Sequence, residues 1–265
     1  MTATPITSDQ RKQFRRFVED ISNRALKETA PDKDGLQRLF ERGGEFQAHV
    51  VTGIRRFTAA TSNYDLARTI LGKDFISPEQ IAKSCKLVYT DEQLATFGDT
   101  LPAQDVLEWC RENGYILVAG PPRAISLLEI RDLQPNYFYS KQGGWYAESK
   151  EVFSRRDRAA TAWIMLRKES VPESQRKSWD KQQTLLSEFE IVPNAAETAW
   201  AITTYKAVRG VYLLPNVYVR TSSLDSVGDR VSVGGFDEGG LSVGNGRWDV
   251  YRSGDLGLSS ARKSN

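Results

Sequence analysis

The chain has 265 residues, with 36 Lys and Arg against 34 Asp and Glu, a net charge of +2, and 40% hydrophobic residues. That length is enough to bury a real core in one large domain or two modest ones. The charge balance excludes an acidic tail and a strongly basic domain, and the composition is that of an ordinary globular protein. Two cysteines, Cys85 and Cys110, make neither a disulfide framework nor a CxxC metal pair, and both read as buried free thiols.

From the N-terminus, "MTATPITSDQRKQF" lacks the apolar core of a secretory signal. No run approaches the ~18 apolar residues of a membrane span. A cytoplasmic location is the default expectation. Phe14, Phe17, Val18, Ile21 and Ala25 form a helical stripe behind a Thr7-Ser8-Asp9-Gln10 cap. Leu36, Leu39, Phe40, Phe46, Val50, Ile54 and Phe57 form a longer stripe, weakened at Gly43-Gly44. Three short helices are expected next. Ser77-Pro78-Glu79-Gln80 and Thr90-Asp91-Glu92-Gln93 start two of them, and the third runs from about Pro102 to Asn113-Gly114.

The texture then changes. "YILVAGPPR" (115–123) reads as a strand closed by turn residues, and "SLLEIRDL" as a short helix. "FYSKQGGWYAES" and "TAWIMLRK" read as strands, the first with a Gly-Gly turn. Helices are expected over roughly 179–188 and 195–209, the second capped by Asn194 with Glu197 at the third helical position. "GVYLLPNVYVRTSS" returns to strand, and ten of the twenty glycines fall from Gly210 onward, predicting tight β turns and no helix there. The expected class is α+β: a helical N-terminal region over 1–112, then an α+β domain over 113–265 ending in a Gly-rich antiparallel β region.

Catalytic signatures are sparse. His49 is the sole histidine, set in a predicted helix, which removes His-based triads and His-rich metal sites. "VAGPPR" lacks the GK[ST] ending of a phosphate loop. "SPEQIAKSCKLVYTDEQLATF" only faintly resembles a helix-turn-helix, because its second helix would turn Asp91 and Glu92 toward phosphates. Asp225, Asp229, Asp237, Glu238, Asp249 and Asp255 could serve a metal-assisted hydrolase, but Asp beside Gly is first a turn former. From Lys141 to Lys181 the net charge is +4, with Trp145, Tyr146, Trp163 and Trp179 interleaved. A nucleic-acid or host-factor interaction through this stretch is the weaker alternative, since strand aromatics usually belong to a core.

The tail carries the leading reading. Val231, Val233, Leu241 and Val243 alternate along two strands joined by "GFDEGG", which turns Ser232, Gly234, Ser242 and Gly244 to the other side. Val217 and Val219 supply a further strand, with Trp248, Leu256 and Leu258 beneath. Of the 31 residues from Asp225 to Asp255, 22 are Gly, Asp, Ser, Arg, Asn or Tyr. Gly, Ser, Asn and Tyr also dominate antibody paratopes. The expectation is that the apolar positions and turns specify the backbone while the polar positions contribute little to folding.

"YVRTSS" (218–223), "RVSVGGFDEGGLSV" (230–243) and "LGLSSARK" (256–263) resemble the closing segment of C-type-lectin-fold domains. Within that group they are most similar to the variable proteins of diversity-generating retroelements. The resemblance covers about residues 211–263, is looser over 115–210 and does not reach 1–112. It implies a C-type-lectin-like domain whose candidate variable segment, 222–255, is rewritten at adenine positions on a fixed apolar frame. Expected ligand contacts are Asp225, Ser226, Asp229, Ser232, Asp237, Ser242, Asn245, Arg247, Asp249, Tyr251, Arg252, Ser253 and Asp255. Tyr251 and the arginines would be the anchors.

Two departures narrow this. Calcium-dependent sugar binders carry E-P-N or Q-P-D loops and a W-N-D strand, where this chain has Leu214-Pro215-Asn216 and Trp248-Asp249-Val250. Formylglycine-generating enzymes of the same fold need a cysteine pair here, and no cysteine follows Cys110. The expectation is therefore a non-enzymatic protein with no cofactor or metal. Its partner would be a protein or other macromolecule, and its N-terminal helices offer a surface for a homo-oligomer.

Overall fold

The computed structural model describes residues 7–58, 63–245 and 253–263. The chain forms two compact units that divide between residues 59 and 60. The first holds α1 (Ser8–Thr29), α2 (Lys33–Glu41) and α3 (Gly43–Thr58). Thr7 and Gln10 bond reciprocally at the start of α1, with Thr7 N donating to Gln10 Oε1 at 2.8 Å. Gly43 and Gly44 do not weaken one long helix: the chain breaks at Arg42 and α3 begins on the pair. Neither α1 nor α2 buries a residue, and Phe40 is 70% exposed. His49 is exposed on α3.

The second unit begins with α4 (Asn63–Leu71), which the sequence reading passed over, and continues through β1 (Phe75–Ile76), α5 (Pro78–Cys85), α6 (Asp91–Asp99) and α7 (Gln104–Glu112). These helices bury Tyr64, Ala67, Leu71, Ile81, Phe97 and Leu107 in the core that also holds β2 (Tyr115–Ala119). They belong to this unit, so a helical region ending at 112 cuts across a continuous core. Next come β3 (Ile125–Ser126), α8 (Leu127–Leu133), α9 (Phe153–Arg156), β4 (Arg158–Ala159), β5 (Trp163–Arg167), α10 (Trp179–Gln183), β6 (Glu190–Ile191) and α11 (Ala195–Arg209). The chain closes with β7 (Tyr218–Leu224), β8 (Arg230–Asp237), β9 (Gly240–Gly244), β10 (Leu256–Leu258) and β11 (Ala261–Arg262).

The architecture is α+β, as the sequence indicates. One five-stranded sheet runs β1-β2-β5-β11-β6 and a four-stranded one runs β10-β7-β8-β9, while β3 and β4 pair separately. β1 lies parallel to β2 and β10 parallel to β7; the other pairs are antiparallel. α11 touches strands of both larger sheets. Its cap is the predicted one, Asn194 with Glu197. Because it is covered on nearly every side, it carries Ala195, Ala196, Ala199, Trp200, Ala201 and Ile202 with no wide polar face. Trp200 Nε1 donates to Ala119 O at 2.9 Å, satisfying its one polar group in the core.

Three expected elements differ. Residues 138–149 are not strands but a loop that follows a 3₁₀ turn at Pro135–Tyr137 and contains another at Trp145–Ala147. Gly143 and Gly144 adopt positive φ (+76° and +83°), which breaks any ladder. The helix expected over 179–188 stops after Gln183. Residues 210–217 are irregular, and the strand begins at Tyr218. Both thiols are free, but only Cys110 is buried and Cys85 is half-buried; desolvation pushes Cys85 up to about 11 and Cys110 up to about 12.

Candidate functional site

The four-stranded sheet has two distinct faces. Val219, Val233 and Val243 are cross-strand partners and share one face, while Tyr218, Gly234 and Ser242 form a row on the other, as do Arg220, Ser232 and Gly244. Val231, Val233, Leu241 and Val243 are all buried, as their alternation requires. Each such side chain contributes roughly 1.5–3 kcal/mol.

The second face is also largely covered, against expectation. Ser232 and Gly234 are buried: the Val217–Tyr218 backbone closes over Gly234, while Ser232 borders the cavity described next. A Cβ on Gly235 (φ +57°) would sit 2.7 Å from the Tyr218 hydroxyl, so this glycine makes room for the Tyr218 ring. Arg220, fully buried, donates to Gln182 Oε1 at 2.7 Å and to Lys177 O at 3.1 Å.

What stays open is a cavity of about 480 Å³. Tyr139, Trp145, Tyr146 and Tyr218 provide its rings, Ser140, Ser232 and Ser242 its hydroxyls, and Asp255 is the one carboxylate among its described lining residues. The loop that carries the first three rings is tied to β9. Tyr139 N donates to Leu241 O at 3.0 Å and Trp145 Nε1 to Val243 O at 2.8 Å. Gly240 permits this approach, since a Cβ there would lie 2.6 Å from the Phe138 and Tyr139 backbone. Burial pushes the Tyr146 phenol above its usual range against the pull of Arg131, so it stays protonated and donates to Ser140 O. A concavity with apolar ring walls and a few hydroxyls is equipped to bind a ligand by stacking and hydrogen bonding.

The predicted contact residues separate into groups. Ser232, Ser242 and Asp255 line the cavity. Asp225 does not face solvent: it is buried, and its Oδ1 accepts from Val227 N (3.0 Å) and Asp229 N (2.9 Å). The exposed Asn245 reaches Asp225 Oδ2 at 3.4 Å. Ser226 donates twice to Glu151, at 3.0 Å from its backbone and 2.7 Å from its hydroxyl. Asp237 sits at the hairpin end of the sheet and accepts from Gly239 N at 2.7 Å, the role of a turn residue. Ser253 bonds to Asp255. Arg247, Asp249, Tyr251 and Arg252, with Trp248, lie outside the described residues.

The expectation that the polar positions are idle for folding therefore fails at several points. Thr221 Oγ1 donates to Val231 O at 2.8 Å, and Ser223 Oγ accepts from Ala195 N and donates to Asp157. Both side chains are buried. The ring wall at 139–146 was missed because its aromatic spacing reads as a strand; the Gly143-Gly144 pair was the available signal. In the 141–181 stretch, Tyr146, Trp163 and Trp179 are buried, and Trp163 Nε1 donates to Phe97 O at 2.9 Å. Among the described residues, no group of three or more His, Cys, Asp or Glu side chains gathers to hold a metal ion. No described helix is long and apolar enough to cross a membrane.

The fold and cavity describe an α+β protein with an aromatic-walled concavity beside its C-terminal sheet. No protein-family model matches the chain, and no curated protein or solved structure matches it significantly.

Proposed function

We propose that the protein is a non-enzymatic binding protein that recognises a macromolecular ligand at the face around the 480 Å³ cavity. The observation that carries this reading is convergence. Ser232, Ser242 and Asp255, from three separate stretches of the tail, meet four aromatic rings in one concavity. Rings on a tethered wall combined with small hydroxyls suit recognition, because they supply contact area at little entropic cost.

The scaffold is read as C-type-lectin-like, and the protein as similar in kind to the variable proteins of diversity-generating retroelements. Two features support this. The closing strand β11 returns to the sheet that holds β2, while the β10-β7-β8-β9 sheet forms a separate layer carrying the tail. The paratope-like composition is confined to that layer and the loop leading to β10. The burial of Trp163 and Trp179 leaves the nucleic-acid reading of the 141–181 stretch with less support, because stacking on bases needs exposed aromatic faces.

The test lies in the DNA downstream of the gene. The reading expects a reverse-transcriptase gene and a near-copy of the segment encoding 222–255 that differs at adenine positions. Differences should fall on codons 242, 245, 247, 249, 251, 252, 253 and 255. They should spare Val231, Val233, Leu241 and Val243. A locus with neither element would overturn the retroelement reading.

A further inference from the structure

The five-stranded sheet carries a second cavity of about 410 Å³, which shares no lining residue with the tail cavity and is lined by Trp109, Arg167, Leu185, Phe189 and neighbours. Its chemistry follows from register. Leu166 pairs with Ala261, so Arg167 and Arg262, the next residues along their strands, both fall on the opposite face. Tyr115 and Glu190 join them there, as the partners of Arg167 and Arg262 respectively.

Arg262 is only 8% exposed. Its guanidinium lies between two rings that wall the cavity, 4.9 Å from the Trp109 centroid and 5.0 Å from that of Phe189. Arg167 lies 5.7 Å from the Tyr115 ring. Stacking places both cations but leaves their donors unused. Arg262 Nε and Nη1 and Arg167 Nε are buried without a hydrogen-bond partner among the described residues. Neither arginine forms an ion pair among those residues.

The nearby carboxylate is committed elsewhere. Glu190 accepts from Tyr115 Oη, from Ser260 Oγ at 2.8 Å and from Ser187 N at 2.9 Å. Burial works against its ionised form, yet these hydrogen bonds hold its carboxyl below the usual range. The other lining acid, Glu173, is exposed. Buried N–H donors left unpaired are costly, so a group that satisfies them binds with that advantage. Planar guanidinium forks fit carboxylates. Val171, Pro172 and Leu185 give the wall an apolar stretch, beside the polar Asn113 and Ser187.

We infer that this cavity binds a small organic carboxylate with an apolar body, its head on the lining Arg167, supported by the charge of the buried Arg262 between Trp109 and Phe189, and its body against Val171, Pro172 and Leu185. The site is independent of the proposed recognition face and stands whatever that face binds.

Isothermal titration calorimetry on the full chain tests it, with 3-phenylpropionate, its uncharged amide and inorganic phosphate as probes. Saturable binding of the carboxylate is expected, with the amide and phosphate each at least about tenfold weaker, the loss expected when charge-assisted hydrogen bonds or apolar contact go. Arg167→Gln, at a half-buried side chain, should weaken the carboxylate at least about tenfold without lowering Tm. Leu185→Trp, which fills the cavity, should abolish binding. Arg262→Gln should match Arg167→Gln where it folds; where it does not, Arg167→Gln decides. No saturable binding to the parent chain, equal binding of the amide, tighter binding of phosphate, or an Arg167→Gln variant that binds normally would each overturn the inference.

Discussion

The turn from Asp225 to Asp229 and the cavity face around Ser242 are built from the same small polar residues, yet they are held by different forces. In the turn, Asp225 is buried, gathers two backbone N–H groups and approaches Asn245, while Ser226 is doubly bonded to the buried Glu151. Around the cavity, Ser242 is half-buried and borders open space. Composition alone does not separate the two. A polar side chain near Gly is a folding element when its partners are buried and fixed, and a recognition element when its partner has yet to arrive.

Substitutions sharpen this comparison. Asp225→Ala should be the most damaging, costing about 3 kcal/mol in urea unfolding, because it removes a buried carboxylate that accepts two backbone N–H bonds. Gly235→Ala should cost roughly 1–2 kcal/mol by the same measurement, since it forces a side chain into a left-handed conformation and against Tyr218. Trp145→Phe keeps the ring but loses the bond to Val243 O, and about 1 kcal/mol is expected. Ser242→Ala should change stability by less than about 0.5 kcal/mol. Comparable losses at Asp225 and Ser242 would erase the distinction.

Much of the fold was legible locally. Capping residues marked α1, α5, α6 and α11, each with Gln or Glu at the third helical position bonding back to the cap. The alternation in β8 and β9 and the hairpin between them were equally plain. α4 escaped because its buried stripe, Tyr64, Ala67 and Leu71, rests on a small residue. The strands β6 and β11, two residues each, exist only by pairing across the chain, as with Glu190 and Arg262. For the site, residue type named Ser232, Ser242 and Asp255, but it also named Asp225. Its burial follows from how the turn folds back on itself, and the tie of Ser226 to Glu151 spans 75 positions. The ring wall was hidden for a similar reason: the loop's path is set by its bonds to β9, not by its own pattern.

The central claim is that the tail's polar residues divide into structural and recognition sets. A saturation scan of residues 221–245, displayed on cells and read as resistance to protease, tests it most directly. The account expects free substitution at Ser242, Asn245 and Glu238 and strong selection at Thr221, Ser223, Asp225 and Gly235. Even tolerance across all seven positions, or selection that is strongest at Ser242, would contradict it.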